Sequence, residues 1–238
     1  MEAVKVLLDL IGDYVRLSSS NKERGSKDNY SEIWRPAIED HSQNRKHGIK
    51  DLLVTATRDA CEQFLKSHSN QVLSVIEELE LRNLNIFTRL SLHLLRLFPK
   101  GAKKKIVEQL MNEKEFADSS RLTHEYFLLA EAHGKMLNKK EQNKVWSWIM
   151  NGADVDAYKK WRLQNGHRCS KSEIERYEKN WQMYHLMPFR KVDPEWKKYY
   201  ENLVKELGKP KYPSFSSWSE GGSWGPISGV SAEQLKKM

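Results

Sequence analysis

The densest grouping of acid, base and ligand-type side chains in the sequence is Glu39-Asp40-His41, with His47 and Asp51 close behind. Carboxylates beside imidazoles are what a metal or proton-transfer site requires, and a hydrolase built on Glu39, Asp40 and His41 is one function class to test. The same letters describe a charged helix end in which His41 and Asn44 hydrogen-bond the backbone, and that is the reading carried forward. His124-Glu125 opens like a zinc-protease helix, but position 128 is Leu and the next histidine is His133. Ligands of one metal sit a turn apart, whereas these two histidines are separated by about 13 Å along a helix. Gly221-Gly-Ser-Trp-Gly has the lettering of a nucleophile elbow, yet prolines flank it and neither His nor Asp follows Ser223, so the histidine base of such a site is missing. Gly101-Ala-Lys-Lys-Lys lacks the first glycine and the hydroxyl of a phosphate loop. His167-Arg-Cys169 sets a thiol beside basic groups, in a polar loop after Gly166 where an ordinary cysteine is expected. The sequence therefore predicts no catalysis, no metal, no cofactor and no small-molecule substrate.

Basic residues are the other chemistry on offer. Lys and Arg number 40 against 32 Asp and Glu, a formal charge of +8. They cluster at Lys100, Lys103, Lys104 and Lys105, at Lys139, Lys140 and Lys144, and at Lys159, Lys160, Arg162, Arg168 and Lys171 among Tyr158 and Trp161. Cations interleaved with rings suit a nucleic-acid strand, because bases stack while phosphates meet Lys and Arg. Lys103, Lys104, Lys105, Lys159, Lys160 and Arg162 are accordingly the candidate partner or phosphate surface. Tyr158 and Trp161, three apart, equally describe a core stripe, and acids interspersed among the cations describe a solvated helical surface.

The elements that must position these groups are helical by spacing. Val4, Leu7, Leu8, Ile11, Tyr14 and Val15 mark one face of a first helix. A short helix with Pro36 near its start is expected to turn Trp34 and Ile38 inward. Leu52, Leu53, Ala56, Ala60, Phe64 and Leu65 predict an amphipathic helix ending near Ser67. Val72, Val75, Ile76 and Leu79 predict the next, and Ile86, Leu90, Leu94 and Leu97 one that Pro99 and Gly101 stop. Helices follow at Ile106 to Leu110, from Tyr126 to Leu137, and around Val145, Trp148 and Ile149. Asp154 to Gln164, Lys171 to Met187 and Pro194 to Leu207 complete the set, with Ser172 and Glu175 as a capping box and Pro194 in a first turn. Pro99 is the single proline between Ala37 and Met187.

Helix pairs at roughly 35 to 45 residues predict an all-α, irregular HEAT-like solenoid. Residues 1–150 form the array and 151–207 continue it in the same domain. Residues 208–238 are a Trp-, Pro- and Gly-rich extension, with Trp218 and Trp224 as an aromatic brace and the start of another helix at Ser231. A helix begun there suggests a piece of something longer. Charged residues at 30% and a mean hydropathy of −0.75 leave no stretch near the roughly 20 apolar residues of a membrane helix. Two cysteines, Cys61 and Cys169, and no export signal predict a reduced, cytoplasmic protein.

Three segments carry a resemblance: Tyr30 to Asn44 (YSEIWRPAIEDHSQN), Phe87 to Arg96 (FTRLSLHLLR) and Trp224 to Leu235 (WGPISGVSAEQL). They resemble the helical-repeat regions of large bacterial proteins that carry a nucleotide-binding domain upstream, some of them defence-type sensor ATPases. The resemblance implies a helical architecture and partner recognition, and it implies no catalytic residue, since the similar region is not the catalytic part. The expected function is binding of a protein partner or larger assembly, with nucleic-acid binding as the alternative.

Overall fold

The computed structural model describes residues 1–18, 31–44, 48–117, 123–212 and 214–215, and every regular element among them is a helix. His47, the motif at 221–225, Trp218, Trp224 and the expected helix from Ser231 lie outside the described residues. No helix among the described residues is long and apolar enough to cross a membrane.

The helices are α1 (Glu2–Ser18), α2 (Ser31–Trp34), α3 (Ile49–Ser67), α4 (Val72–Glu80), α5 (Asn85–Leu97), α6 (Lys103–Leu110), α7 (Glu113–Ala117), α8 (Thr123–His133), α9 (Lys139–Asn151), α10 (Val155–Gln164), α11 (Lys171–Leu186) and α12 (Pro194–Leu207). Short 3-10 turns at Ser69–Gln71, Gly134–Met136 and Met187–Phe189 link them. Packing pairs α1 with α3, α4 with α5, α5 with α8, and α11 with α12. α5 lies centrally: it touches α2, α3, α4, α6 and α8 and buries residues on nearly every side, from Ile86 to Leu95. Its polar side chains, Arg89, Ser91 and His93, are buried against neighbouring protein instead of facing solvent.

Local signals explain most boundaries. Asn83 takes a left-handed conformation at φ 49° and separates α4 from α5, a role asparagine tolerates better than most residues. Pro194 occupies the first turn of α12 behind the Asp193 cap, whose carboxylate accepts from Glu195 N at 2.9 Å. The capping box of α11 is Ser170 with Glu173, two residues upstream of the expected Ser172 and Glu175. α8 ends at His133, short of Leu137, where Gly134 starts a 3-10 turn against Phe189 and Val192. An aromatic nucleus forms there. Phe116 meets Trp148 at 5.2 Å, His185 at 5.0 Å, Trp181 at 6.0 Å and Phe189 at 6.4 Å between ring centroids.

Two further elements differ from the sequence reading. α2 stops at Trp34, and residues 35–44 are irregular, because a residue before proline is driven out of the helical region and Pro36 follows Arg35. Ile38 is buried as expected, while Trp34 is only half-buried under Lys50, whose Nζ lies 4.6 Å from the ring. α3 is helical as expected but turns a different face inward. Asp51, Val54, Thr57, Arg58, Cys61 and Leu65 are buried, while Leu52 is 71% exposed.

Candidate functional site

The inward face of α3 is polar because it meets a polar interior. Arg89 on α5 and Glu125 on α8 are each 1% exposed and form a bidentate pair, Nε to Oε2 at 2.7 Å and Nη2 to Oε1 at 2.8 Å. Arg89 also donates to the carbonyls of Arg35 and Pro36 at 2.7 and 3.0 Å, and Ile38 N donates to Glu125 Oε1 at 2.9 Å. Those contacts answer an obligatory demand. A buried loop without helical or sheet bonds must find partners for its backbone groups elsewhere. Arg35 reaches Ala37 O and Ile38 O, Arg58 reaches Ile38 O, and Asn44 accepts from Ala37 N and donates to Glu39 O. Arginine forks and one amide thus hold residues 35–44 in a single irregular path.

That path carries Glu39 to the histidines. Glu39 Oε1 lies 2.9 Å from His124 Nε2, and its Oε2 lies 3.5 Å from His93 Nδ1 and 3.8 Å from Arg96 Nη2. His93 Nε2 continues to Glu62 Oε1 at 2.9 Å, and His124 Nδ1 continues to Ser214 O at 3.2 Å. The groups form a ladder running Glu62, His93, Glu39, His124, Ser214, which joins α3, α5, the loop, α8 and the segment after α12. Burial pushes the Glu39 carboxyl upward, but the hydrogen bonds from His124 and His93 outweigh it and hold the group far below the usual carboxylate range. Burial likewise pushes His93 down, and Glu39 and Glu62 outweigh it, so its net shift is upward. The His93 hydrogen bond lowers Glu62 in turn.

Glu39, His124 and Glu125 each bring one ligand-type atom within 4.8 Å of the others. Glu125 is committed to Arg89 and Ile38, and His124 to Glu39 and Ser214. Glu39 Oε2 makes no close hydrogen bond and has only the long contacts to His93 and Arg96; with Glu125 and His124 committed, we assign no metal to the trio. Asp40, His41 and Asp51 line a cleft of about 740 Å³ with Arg35, Asn44 and Thr55, and the His41 ring also lies 6.1 Å from that of His124. The sequence cluster is therefore split between ladder and cleft. Asp40 pairs with Arg58 at 3.0 Å, and His41 Nδ1 accepts from Gln43 N at 3.1 Å. The expected backbone bonding by His41 and Asn44 is present, in a loop instead of at a helix end. His133 bonds Arg96 O at 2.9 Å and shares nothing with His124.

The basic candidates separate into free and engaged groups. Lys103 and Lys104 are exposed at the start of α6, whereas Lys105 is tied to Glu80 at 2.9 Å and Glu108 at 3.1 Å. α10 has no buried residue. Lys159 and Lys160 are exposed, Lys159 beside Asp156 at 3.5 Å, and Arg162 pairs with Glu173 at 3.0 Å. Trp161 is 58% and Leu163 63% exposed, so the stripe is not core. Tyr158 stacks face to face on Tyr177 of α11 at 3.8 Å, and Trp161 stands 6.4 Å from Tyr158. Both cysteines are free thiols: Cys61 is buried, with burial pushing it up to about 12, and Cys169 is half-buried.

The buried ladder is what sequence reasoning missed. Its signal was present as charged residues on otherwise apolar helix faces, Arg58 between Val54 and Cys61, and Arg89 with His93 one turn on. Comparison with known proteins adds no family: no family model matches the chain, and neither the curated proteins nor the solved structures contain a match.

Proposed function

We propose that this chain is a non-catalytic, HEAT-like helical-repeat protein that binds a protein partner or a larger assembly. The observation that carries this reading is α10, a helix with no buried side chain that holds Trp161 and Leu163 out to solvent. Two large apolar side chains adjoining Lys159 and Lys160 are the composition of an interface anchor with a polar rim. Antiparallel neighbours along the chain, α4 with α5 and α11 with α12, are the packing that supports a helix-pair reading. The buried ion pairs support a structural role for the charged interior, since their bonds run to the chain's own loop. Free Cys61 and Cys169 are in keeping with a reducing, cytoplasmic setting, and the resemblance to helical-repeat regions of bacterial nucleotide-binding proteins agrees with it.

The test is affinity capture from the source cells with wild type and a Trp161→Ala, Leu163→Ala variant side by side. The reading expects a partner whose recovery falls at least tenfold with the variant while thermal stability stays within about 0.5 kcal/mol. Equal recovery would remove α10 as the interface. Nucleic-acid binding is the second reading, favoured by Lys159 and Lys160 beside the Tyr158 and Trp161 rings. It expects binding of a labelled single strand at about 50 mM salt that weakens steeply as salt rises, and weakens uniformly across sequences on charge reversal at Lys159 and Lys160.

A further inference from the structure

No residue from 154 to 178 is buried, although this stretch holds α10 and the first half of α11. The two helices run antiparallel: Tyr158 stacks on Tyr177 while Arg162 pairs with Glu173, so positions rising along one helix fall along the other. α11 buries its first side chain at Met183, about 18 Å of helix beyond its start at Lys171. α10 has ten residues, fewer than the roughly 12–15 below which an isolated helix is marginal in water. Trp161 and Leu163 are exposed, and two positions along a helix set them about 200° apart, on opposite flanks. The result is a two-helix arm without a core of its own, with a large apolar side chain turned outward on either side.

The order of charges along the arm says what fits it. Residues 157–172 carry Lys159, Lys160, Arg162, Arg168 and Lys171 and no acid. Asp154 and Asp156 precede them, and Glu173, Glu175 and Glu178 follow, with Arg176 among these. α10 is therefore basic beyond its first turn, while α11 opens with acids beyond its cap. Six cations and five acids leave the arm close to neutral in a chain of formal charge +8, a pattern that complements itself better than it complements a partner of one sign. We propose that the arm pairs with the arm of a second copy of this chain, α10 of each lying against α11 of the other about a two-fold axis. A two-fold interface makes every contact twice, so Lys159 and Lys160 meet Glu175 and Glu178 on both sides of the axis. The proposal rests on the reading of α10 as an interface and names the partner. A standard interface takes about 20–30 residues from each side; one flank of a 25-residue arm supplies fewer, so the dimer is a reversible one that dissociates on dilution.

Sedimentation equilibrium of the full chain, from about 1 to 300 µM, tests it across the range of a micromolar association. The mass is expected to rise from one chain, 27.9 kDa, towards twice that value. Trp161→Ala with Leu163→Ala is expected to raise the dissociation constant about tenfold or more. Lys159→Glu with Lys160→Glu weakens the pair, and so does Glu175→Lys with Glu178→Lys, because each sets like charges together. Mixing those two charge variants restores pairing, since both copies of the contact then carry opposite signs. All six positions are exposed or half-buried, so the helical body keeps its fold. A chain that holds one mass over the whole range overturns the proposal and leaves α10 to a different protein, which capture from cells identifies. A dimer that none of the variants weakens overturns both the proposal and the reading of α10 as an interface. Charge variants that fail to pair when mixed refute the setting of α10 against α11.

Discussion

Substituting Arg89→Met removes the fork on which the interior converges, and its cost follows from the bonds it breaks. Glu125 is left 1% exposed with Ile38 N as a remaining donor, and the carbonyls of Arg35 and Pro36 lose their partner. Breaking a buried pair from one side costs about 3–5 kcal/mol, and an orphaned buried acceptor about 1–3 kcal/mol. Relaxation of the loop absorbs part of the sum, so a loss of about 5 kcal/mol is expected. That matches the whole stability of a marginal domain, roughly 5–15 kcal/mol, so equilibrium urea denaturation is best run with a stabilising osmolyte present. Pairing Arg89→Met with Glu125→Leu removes both charges, and the double variant is expected to lose at least about 2 kcal/mol less than the two single losses added together. Simple addition of the single effects, or a loss under about 1 kcal/mol for Arg89→Met, would refute the account of a cooperative charged centre.

Other consequences are quicker to check. Gly134→Ala places a Cβ 3.0 Å from Val192 Cγ2 and 3.3 Å from Phe189 Cδ1, and a denaturation midpoint should show about 1–3 kcal/mol of overpacking cost. Ser170→Ala deletes the capping box of α11 and should cost about 1 kcal/mol, read the same way. A thiol reagent on the native protein should label Cys169 and spare Cys61, whose thiol is buried and pushed up to about 12; rapid modification of Cys61 would show that the α3 interface opens readily. pH acts on the ladder from both sides. Because the folded His93 is shifted up from 6.5, its contribution is complete below the unfolded pKa and is lost as pH rises through the folded value. Glu39 and Glu62 are shifted down from 4.5, so theirs is present above that value and lost as pH falls. Urea midpoints of His93→Gln should lack the alkaline decline that His93 contributes and show a smaller acid one, since His93 helps to lower Glu62 and Glu39.

Helical character, and the placement of most helices, was legible in the sequence because their faces obey an apolar rule. Val72, Val75, Ile76 and Leu79 are all buried on α4, and Pro194 starts α12 where a proline belongs. The rule failed where the interior is charged. On α3 it chose Leu52 over Asp51 and Arg58, since periodicity assigns every buried position an apolar letter. Tertiary demand decided otherwise: the loop created by Pro36 needs donors and acceptors, and α3, α5 and α8 supply them. The candidate surface was legible in part. Lys159 and Lys160 are exposed, Lys159 beside Asp156, while Lys105 and Arg162 are also engaged by acids farther along the chain, Glu80 and Glu173, which no local pattern reveals. Local sequence and global structure disagree most at such polar centres.

The buried pair has a kinetic corollary. Arg89 draws together groups 36 and 54 positions away along the chain, and closing such loops early carries an entropic cost that only later contacts repay. Stripping water from a guanidinium and a carboxylate before the surrounding helices have docked is uphill as well. Both effects place the pair on the native side of the folding barrier. Its lesions should therefore leave the refolding rate nearly untouched and quicken unfolding instead, so the ion pair governs how long each folded molecule lasts more than how fast it forms.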